Sequence, residues 1–66
     1  GGSLGAVFNA ANEVAVDRFL KEEIAYLDIY KTVRSVVDKH DNIAQPSLEQ
    51  ALEADRWARE TAATVV

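Results

Sequence analysis

The chain has 66 residues, the length of a single domain, with a formal net charge of −4 and an isoelectric point near 4.7. It has no cysteine and one histidine, which excludes a disulfide framework and a zinc cluster built on thiolates or imidazoles. The acidic charge and the scattered Lys and Arg argue against nucleic acid, and no apolar run approaches the ~20 residues that cross a bilayer. A chain this small without a staple or a metal usually depends on a partner surface, so we expect one in cis or in trans.

The first predicted element is a long helix that ends near Leu20, with residues 1–5 flexible and Ser3 as its candidate N-cap. At about 100° per residue, six side chains share one face of this helix. They are Phe8, Ala11, Asn12, Ala15, Val16 and Phe19. This apolar arc is too wide for a surface helix, so we expect the helix to be the centre of the domain. Leu4, Val7 and Val14 extend the arc on one side, which we expect the other two helices to leave uncovered.

Asn12 interrupts the predicted apolar face of this helix. A buried amide without partners costs about 1–3 kcal/mol, so we expect its hydrogen bonds to be satisfied. One interpretation is a structural asparagine that holds a loop or the end of another helix, and the alternative is a contact to a ligand. Glu13 lies on the polar ridge of the helix, where we expect a solvated charge.

Residues 24–27 form a short apolar run that predicts an extended linker whose side chains enter the core. Asp28 then caps a second helix, predicted from about Ile29 to Lys39. One narrow face of that helix carries its apolar residues. They are Ile29, Tyr30, Val33, Val36 and Val37, followed by His40. We expect His40 to be a helix-end residue favoured by the dipole or a partly buried filler, because local spacing places no carboxylate, serine or cysteine beside it.

The third helix has the clearest start in the chain. After Pro46, residues 47–50 read SLEQ, which matches a capping box and predicts a helix from Leu48 to about Thr64. Its inner face is made of small residues, which let two helix axes approach closely. They are Ala51, Ala54, Ala58 and Ala62, flanked by Leu48, Leu52 and Val65.

Two residues beside this face leave alternatives open. Asp55 is expected to pair with Arg59 four residues on, or else to partner Asn12 or a loop amide. Trp57 closes the edge of the core or anchors a neighbouring domain. The chain has no Gly-rich phosphate loop after a strand, no isolated carboxylate pair and no convincing Ser/His/Asp order. We therefore predict no catalytic, cofactor-binding or metal-binding residue in it.

Two stretches together resemble the C-terminal domain of the 1-deoxy-D-xylulose 5-phosphate reductoisomerase family. They are FNAANEVAVDRFL at residues 8–20 and LEADRWARE at residues 52–60, and the linker IAYLDI at residues 24–29 matches the family's spacing. The resemblance implies a cytoplasmic parent enzyme with an NADPH domain, a catalytic domain and a C-terminal helical bundle. That parent is an oxidoreductase and isomerase that makes 2-C-methyl-D-erythritol 4-phosphate in non-mevalonate isoprenoid biosynthesis, using NADPH and a divalent cation, Mg or Mn.

The family's metal, substrate-phosphate and nicotinamide motifs lie upstream of this domain and do not occur in the chain, so no residue role is carried over. We expect an all-α fold, a small three-helix bundle with an extended linker between the first two helices. Residues 1–66 would be a single C-terminal domain, a structural and by itself inactive fragment of a larger enzyme. Its partners would be the upstream catalytic domain of the same chain and a second parent subunit, with no nucleic acid and no membrane. The alternative is a small helical protein-interaction module with no enzymatic parent.

Overall fold

The computed structural model describes residues 2–65 and contains three helices. They are α1 at Gly2–Leu20, α2 at Tyr26–Asp38 and α3 at Leu48–Ala62. No strand occurs between residues 2 and 65, so the expected all-α three-helix bundle is confirmed. α1 packs extensively against both other helices, whereas α2 and α3 touch each other much less. α1 is therefore the centre of the domain, as its wide apolar arc predicts.

The ends of the helices define how they run. Phe19 near the end of α1 packs edge-to-face on Tyr26 at the start of α2. His40, just after α2, lies 2.8 Å from the Ser3 hydroxyl at the start of α1, so α2 runs antiparallel to α1. Glu13 pairs with Arg59, and Arg18 donates a hydrogen bond to the Ala62 carbonyl near the end of α3. α3 therefore runs parallel to α1, and the loop between α2 and α3 returns the chain to the N-terminus of α1. None of the helices described is long and apolar enough to cross a membrane.

The core is built mainly from small side chains, and we call it the core cluster. Its members are Val7, Ala10, Ala11, Ala15, Val33, Val36, Ala54, Ala58 and Ala62. Six of these nine are alanines, which allow the helix backbones to approach closely. The predicted alanine face of α3 is confirmed at Ala54, Ala58 and Ala62, and Ala51 is half-buried. Leu48 and Leu52, expected to flank that face, are instead exposed.

The buried face of α1 differs from the predicted one. Val7 is fully buried, whereas Phe8 is 55 % exposed and Asn12 is exposed. The observed face is rotated from the predicted one by roughly a third of a turn. The expectation that the side with Leu4, Val7 and Val14 stays uncovered is therefore wrong for Val7, and Val14 is partly buried against the core. Only Leu4, at the helix start, remains 37 % exposed on that side.

The N-terminus of α1 is anchored rather than loose. Ser3 lies inside the helix and is fully buried, so it is not an N-cap, and residues 2–5 are helical rather than flexible. Residue 1 of the predicted flexible segment lies outside the described residues. Gly2 has a positive φ of 65°, and a Cβ there would overlap the Ile43 carbonyl oxygen. Only glycine satisfies both conditions at this close approach of two backbones.

The connection between α1 and α2 is shorter than predicted. α2 begins at Tyr26, three residues before the predicted Ile29, and Ala25 is its N-cap residue. Asp28 lies in the first turn, where its carboxylate accepts the backbone N–H of Ala25 at 2.9 Å. Of residues 24–27 only Ile24 enters the core, whereas Tyr26 and Leu27 are 70 % exposed. The run that predicts a buried linker is thus partly the outward-facing first turn of a helix.

The remaining helix ends follow the sequence closely. The Ser47 hydroxyl accepts the Gln50 N–H at 3.1 Å, and the Gln50 side-chain oxygen accepts the Ser47 N–H at 2.9 Å, which confirms the capping box. α3 ends at Ala62, two residues before the predicted Thr64.

On α2, Thr32 is buried although the pattern does not predict it, and Tyr30 is 65 % exposed although the pattern places it inside.

Candidate functional site

An open groove of about 410 Å³ runs between α1 and α2. We call it the α1–α2 groove. Its lining residues are Phe8, Asn12, Val16, Tyr26, Leu27, Ile29, Tyr30 and Val33. None of them carries a charge, and all except Asn12 are hydrophobic. A surface of this kind on a small acidic domain is the feature that most needs a functional explanation.

The walls of the groove come from side chains at helical spacing. Phe8, Asn12 and Val16 step by four residues along α1, so they form one row on its outer surface. The opposite wall is the first turns of α2, where Tyr26 and Leu27 are 70 % exposed and Tyr30 is 65 % exposed. Contiguous exposed apolar side chains, unlike single ones, mark interaction surfaces.

Asn12 lies in the middle of this surface. It is exposed, and its side chain makes no hydrogen bond to any other residue in the described range. The prediction that Asn12 is buried and satisfied is therefore wrong, because it assumed that Phe8 and Val16 face the core. An exposed asparagine amide offers two donors and one acceptor to whatever fills the groove.

A polar chain next to the groove row on α1 ties this helix to α3. Asn9 donates to the Glu13 carboxylate at 3.0 Å, and Glu13 pairs with Arg59 at 3.5 Å. Arg59 also donates to Asp55 at 2.6 Å, which confirms the expected i, i+4 pair. Asp55 therefore pairs with Arg59 rather than with Asn12. The hydrogen bond to the Asp55 carboxylate raises the pKa of the Arg59 guanidinium. Glu13 is exposed as expected, with these two partners.

A partly buried hydrogen-bond cluster joins the start of α1 to the loop after α2. Ser3 Oγ lies 2.8 Å from His40 Nε2 and accepts the backbone N–H of Ile43 at 2.8 Å. The Asn42 side-chain oxygen accepts the N–H of Leu4 at 2.9 Å. α2 ends at Asp38, so His40 follows the helix rather than ending it, and it is half-buried. The serine partner that local spacing does not supply comes from 37 residues away.

The Ser3–His40 pair is suited to structure and not to nucleophilic catalysis. Ser3 is fully buried, so its hydroxyl cannot reach a substrate. A hydroxyl both donates and accepts, so Ser3 can bond either tautomer of the His40 ring by rotating its proton. Trp57 lies against the other side of the His40 ring, with 5.7 Å between ring centroids, and it is half-buried against the core. The predicted role of Trp57 at the core edge is confirmed, and its role as an anchor for a neighbouring domain stays a prediction.

Arg18 is an important residue that the sequence analysis does not single out. Its side chain is only 12 % exposed, and it donates to the carbonyl of Ala62, the last residue of α3, and to that of Val65, three residues further on. It also pairs with Glu23 at 3.2 Å. The last carbonyls of a helix have no partner within the helix, so Arg18 satisfies groups that would otherwise be unpaired. The available signal is an arginine placed one turn after Ala15 and two turns after Ala11 on the same face of α1.

Comparison with known proteins identifies the family. A model of the DXP reductoisomerase C-terminal domain family matches residues 1–61. The chain belongs to this family. Its alternative reading, an interaction module with no enzymatic parent, has no support among the matches. No solved structure matches the chain.

Several relatives of the chain are named 1-deoxy-D-xylulose 5-phosphate reductoisomerase. The one from Exiguobacterium sibiricum is 59 % identical over 59 residues, which is 89 % of this chain and 15 % of that protein. The one from Pelotomaculum thermopropionicum is 52 % identical over 66 residues, the whole of this chain and 17 % of that protein. A third, from Crocosphaera subtropica, is 56 % identical over 62 residues. The chain thus spans about one sixth of the length of the relatives it matches.

The residues of the FNAANE stretch, on which the family resemblance rests, lie in three different places on α1. Phe8 and Asn12 line the α1–α2 groove, Asn9 and Glu13 form the polar ridge, and Ala10 and Ala11 are in the core cluster. Residues 2–65 contain no group of three His, Cys, Asp or Glu side chains that could hold a metal ion. That the chain contributes no catalytic, cofactor or metal residue stays a prediction.

Proposed function

We propose that residues 1–66 form one structural C-terminal domain of a cytoplasmic 1-deoxy-D-xylulose 5-phosphate reductoisomerase. The parent enzyme would convert its substrate to 2-C-methyl-D-erythritol 4-phosphate with NADPH and a divalent cation, Mg or Mn, and would act as a homodimer. The observation that carries this proposal is the family match over residues 1–61, together with 52–59 % identity to proteins of that name.

Within that enzyme the domain supplies geometry and not chemistry. The buried start of α1 is fixed by Ser3, the end of α3 is fixed by Arg18, and the alanine core holds the helices close together. A domain whose first and last helices are fixed in this way is suited to holding a catalytic domain in a defined position. Misplacement of reacting groups by about 1 Å can cost about a hundredfold in rate, so such a brace affects activity from a distance.

A domain exchange tests this function. The matched segment of the Exiguobacterium sibiricum enzyme is replaced by this chain, and kcat/KM is measured with the parent's substrate and NADPH. We expect activity within about tenfold of the unmodified enzyme, since the two segments are 59 % identical. The matched control carries an unrelated three-helix domain of the same length and should be inactive. A chimera that folds but is no more active than this control would contradict the proposal.

A further inference from the structure

We propose that the α1–α2 groove is the surface on which the rest of the parent enzyme docks, through an apolar segment that presents a polar group to Asn12. This inference rests on the proposed function, and it names the surface and the partner through which the domain acts.

The apolar part of the argument is the amount of surface left uncovered. Phe8, Tyr26 and Tyr30 are each more than half exposed, and Leu27 is 70 % exposed between them. A buried aromatic side chain covers about 150–250 Å², so the three rings leave on the order of 400 Å² in contact with water. That equals the largest apolar patch of a typical monomer, and patches of that size are often functional. An apolar occupant would remove this surface from water.

The polar part of the argument is Asn12. Other asparagines and acids of the same helix have partners within the chain, as Asn9 does with Glu13. Asn12 has none within residues 2–65, although it lies between Phe8 and Val16 in a groove without charges. An occupant that covers Phe8 also covers Asn12, so it must present a carbonyl or an N–H there to avoid an unpaired amide.

The size of the patch favours the same chain over a second copy. A stable complex between separate proteins buries about 800 Å² on each partner, roughly twice the area that the three exposed rings offer. Interfaces between domains of one chain begin at about 600 Å² in total, because a tether holds the partner at millimolar effective concentration. Phe8 is six residues along α1 from Gly2, which is about 9 Å, so a segment joined to the start of α1 reaches the groove directly.

The other surface candidates on the domain fit this role less well. Leu48 and Leu52 are 75 % and 62 % exposed on α3, but Glu49, Glu53 and Arg56 surround them on the same helix. A second groove of about 460 Å³ near Trp57 is lined by Glu49, Gln50 and Glu53 as well as by apolar residues. An apolar segment docking there would have to cover charged side chains, whereas the α1–α2 groove has none.

The test introduces two double substitutions of equal chemistry into the chimeric enzyme. Phe8→Lys with Leu27→Lys places two charges in the groove, and Leu48→Lys with Leu52→Lys places two charges at equally exposed positions on α3. Circular dichroism of the isolated chain first verifies that both pairs leave the helix content unchanged. Differential scanning calorimetry then follows docking, and kcat/KM follows its effect on catalysis.

We expect the groove pair to lower kcat/KM about tenfold or more and to split one unfolding transition into two. The α3 pair should stay within about twofold of the chimera. Equal behaviour of the two pairs would overturn the proposal. So would a micromolar dimer of the isolated chain that only the groove pair dissociates, with the chimera unaffected, since the occupant would then be a second copy. An inactive unsubstituted chimera would contradict the proposed function alone, because the calorimetric comparison still decides the docking surface.

Discussion

The core cluster and the α1–α2 groove lie on two faces of the same helix and contrast in the size of their side chains. The core cluster is mostly alanine and is fully or almost fully buried. The groove carries Phe8, Tyr26 and Tyr30, and each of them is more than half exposed. In this domain the distance between the helix axes decides which side chains can be buried. Close packing of three helices admits alanine inside, and the large apolar side chains are left where another surface can cover them.

The largest effect that separates the two faces is expected at adjacent residues of α1. Val7→Lys puts a charge at a fully buried position, which costs several kcal/mol and should unfold a domain of this size. Phe8→Lys changes a side chain that is already 55 % exposed and should leave the fold intact. Circular dichroism with urea titration measures both. A folded Val7→Lys beside an unfolded Phe8→Lys would mean that the assignment of the two faces is reversed.

The next effect concerns how α1 and α3 are joined on the core side. Arg18→Ala leaves the carbonyls of Ala62 and Val65 without their charged donor. We expect a loss of about 2–3 kcal/mol in the free energy of unfolding. Arg56→Ala is the control, because within residues 2–65 Arg56 pairs only with exposed Glu53 and Glu60 of its own helix. Equal urea midpoints for the two variants would show that Arg18 does not hold the end of α3.

Two glycine substitutions at the start of α1 are expected to have smaller effects on stability, with opposite signs. Gly2→Ala places a Cβ against the Ile43 carbonyl at positive φ and should lower the free energy of unfolding by about 1–2 kcal/mol. Gly5→Ala meets no atom within 4 Å, so it should raise that free energy by about 0.5–1 kcal/mol. Thermal unfolding of both variants measures the difference. Loss of stability in Gly5→Ala would indicate that this side of α1 is covered.

The smallest effects are expected at two polar residues: Thr32, which is buried on α2, and Asn12, which is exposed in the α1–α2 groove. The Thr32 hydroxyl is buried with no hydrogen-bond partner in the described structure, so Thr32→Val should raise the free energy of unfolding by about 1 kcal/mol. Asn12→Leu should leave it within about 0.5 kcal/mol, since Asn12 is exposed. Urea midpoints decide both. A strong loss in Asn12→Leu would restore the buried, hydrogen-bonded asparagine that periodicity suggested.

Local signals predicted the fold well. The capping box at residues 47–50 and the alanine spacing of α3 depend on interactions within four residues, and both are found. Asp55 and Arg59 pair for the same reason. The start of α2 was misplaced by three residues because Asp28 caps from inside the first turn rather than from before it.

Tertiary contacts account for what the sequence did not predict. The true inner face of α1 carries polar Ser3 and Arg18 near its two ends, so periodicity favoured the neighbouring face with its larger apolar residues. The partners that make Ser3 and Arg18 acceptable inside are 37 to 47 residues away in the chain. The prediction for Asn12 was wrong for the same reason, because its expected burial depended on Phe8 and Val16 facing the core.

The most direct test of the central claim uses the absence of cysteine in the chain. Single cysteines are placed along α1 at Val7, Phe8, Ala11 and Asn12, and the rate of reaction of each thiol with a maleimide is measured under native conditions. The account predicts that Phe8→Cys and Asn12→Cys react at nearly the rate of the unfolded chain, whereas Val7→Cys and Ala11→Cys are slowed by about a hundredfold or more. Fast reaction at Val7→Cys and Ala11→Cys with protection at Phe8→Cys and Asn12→Cys would contradict it.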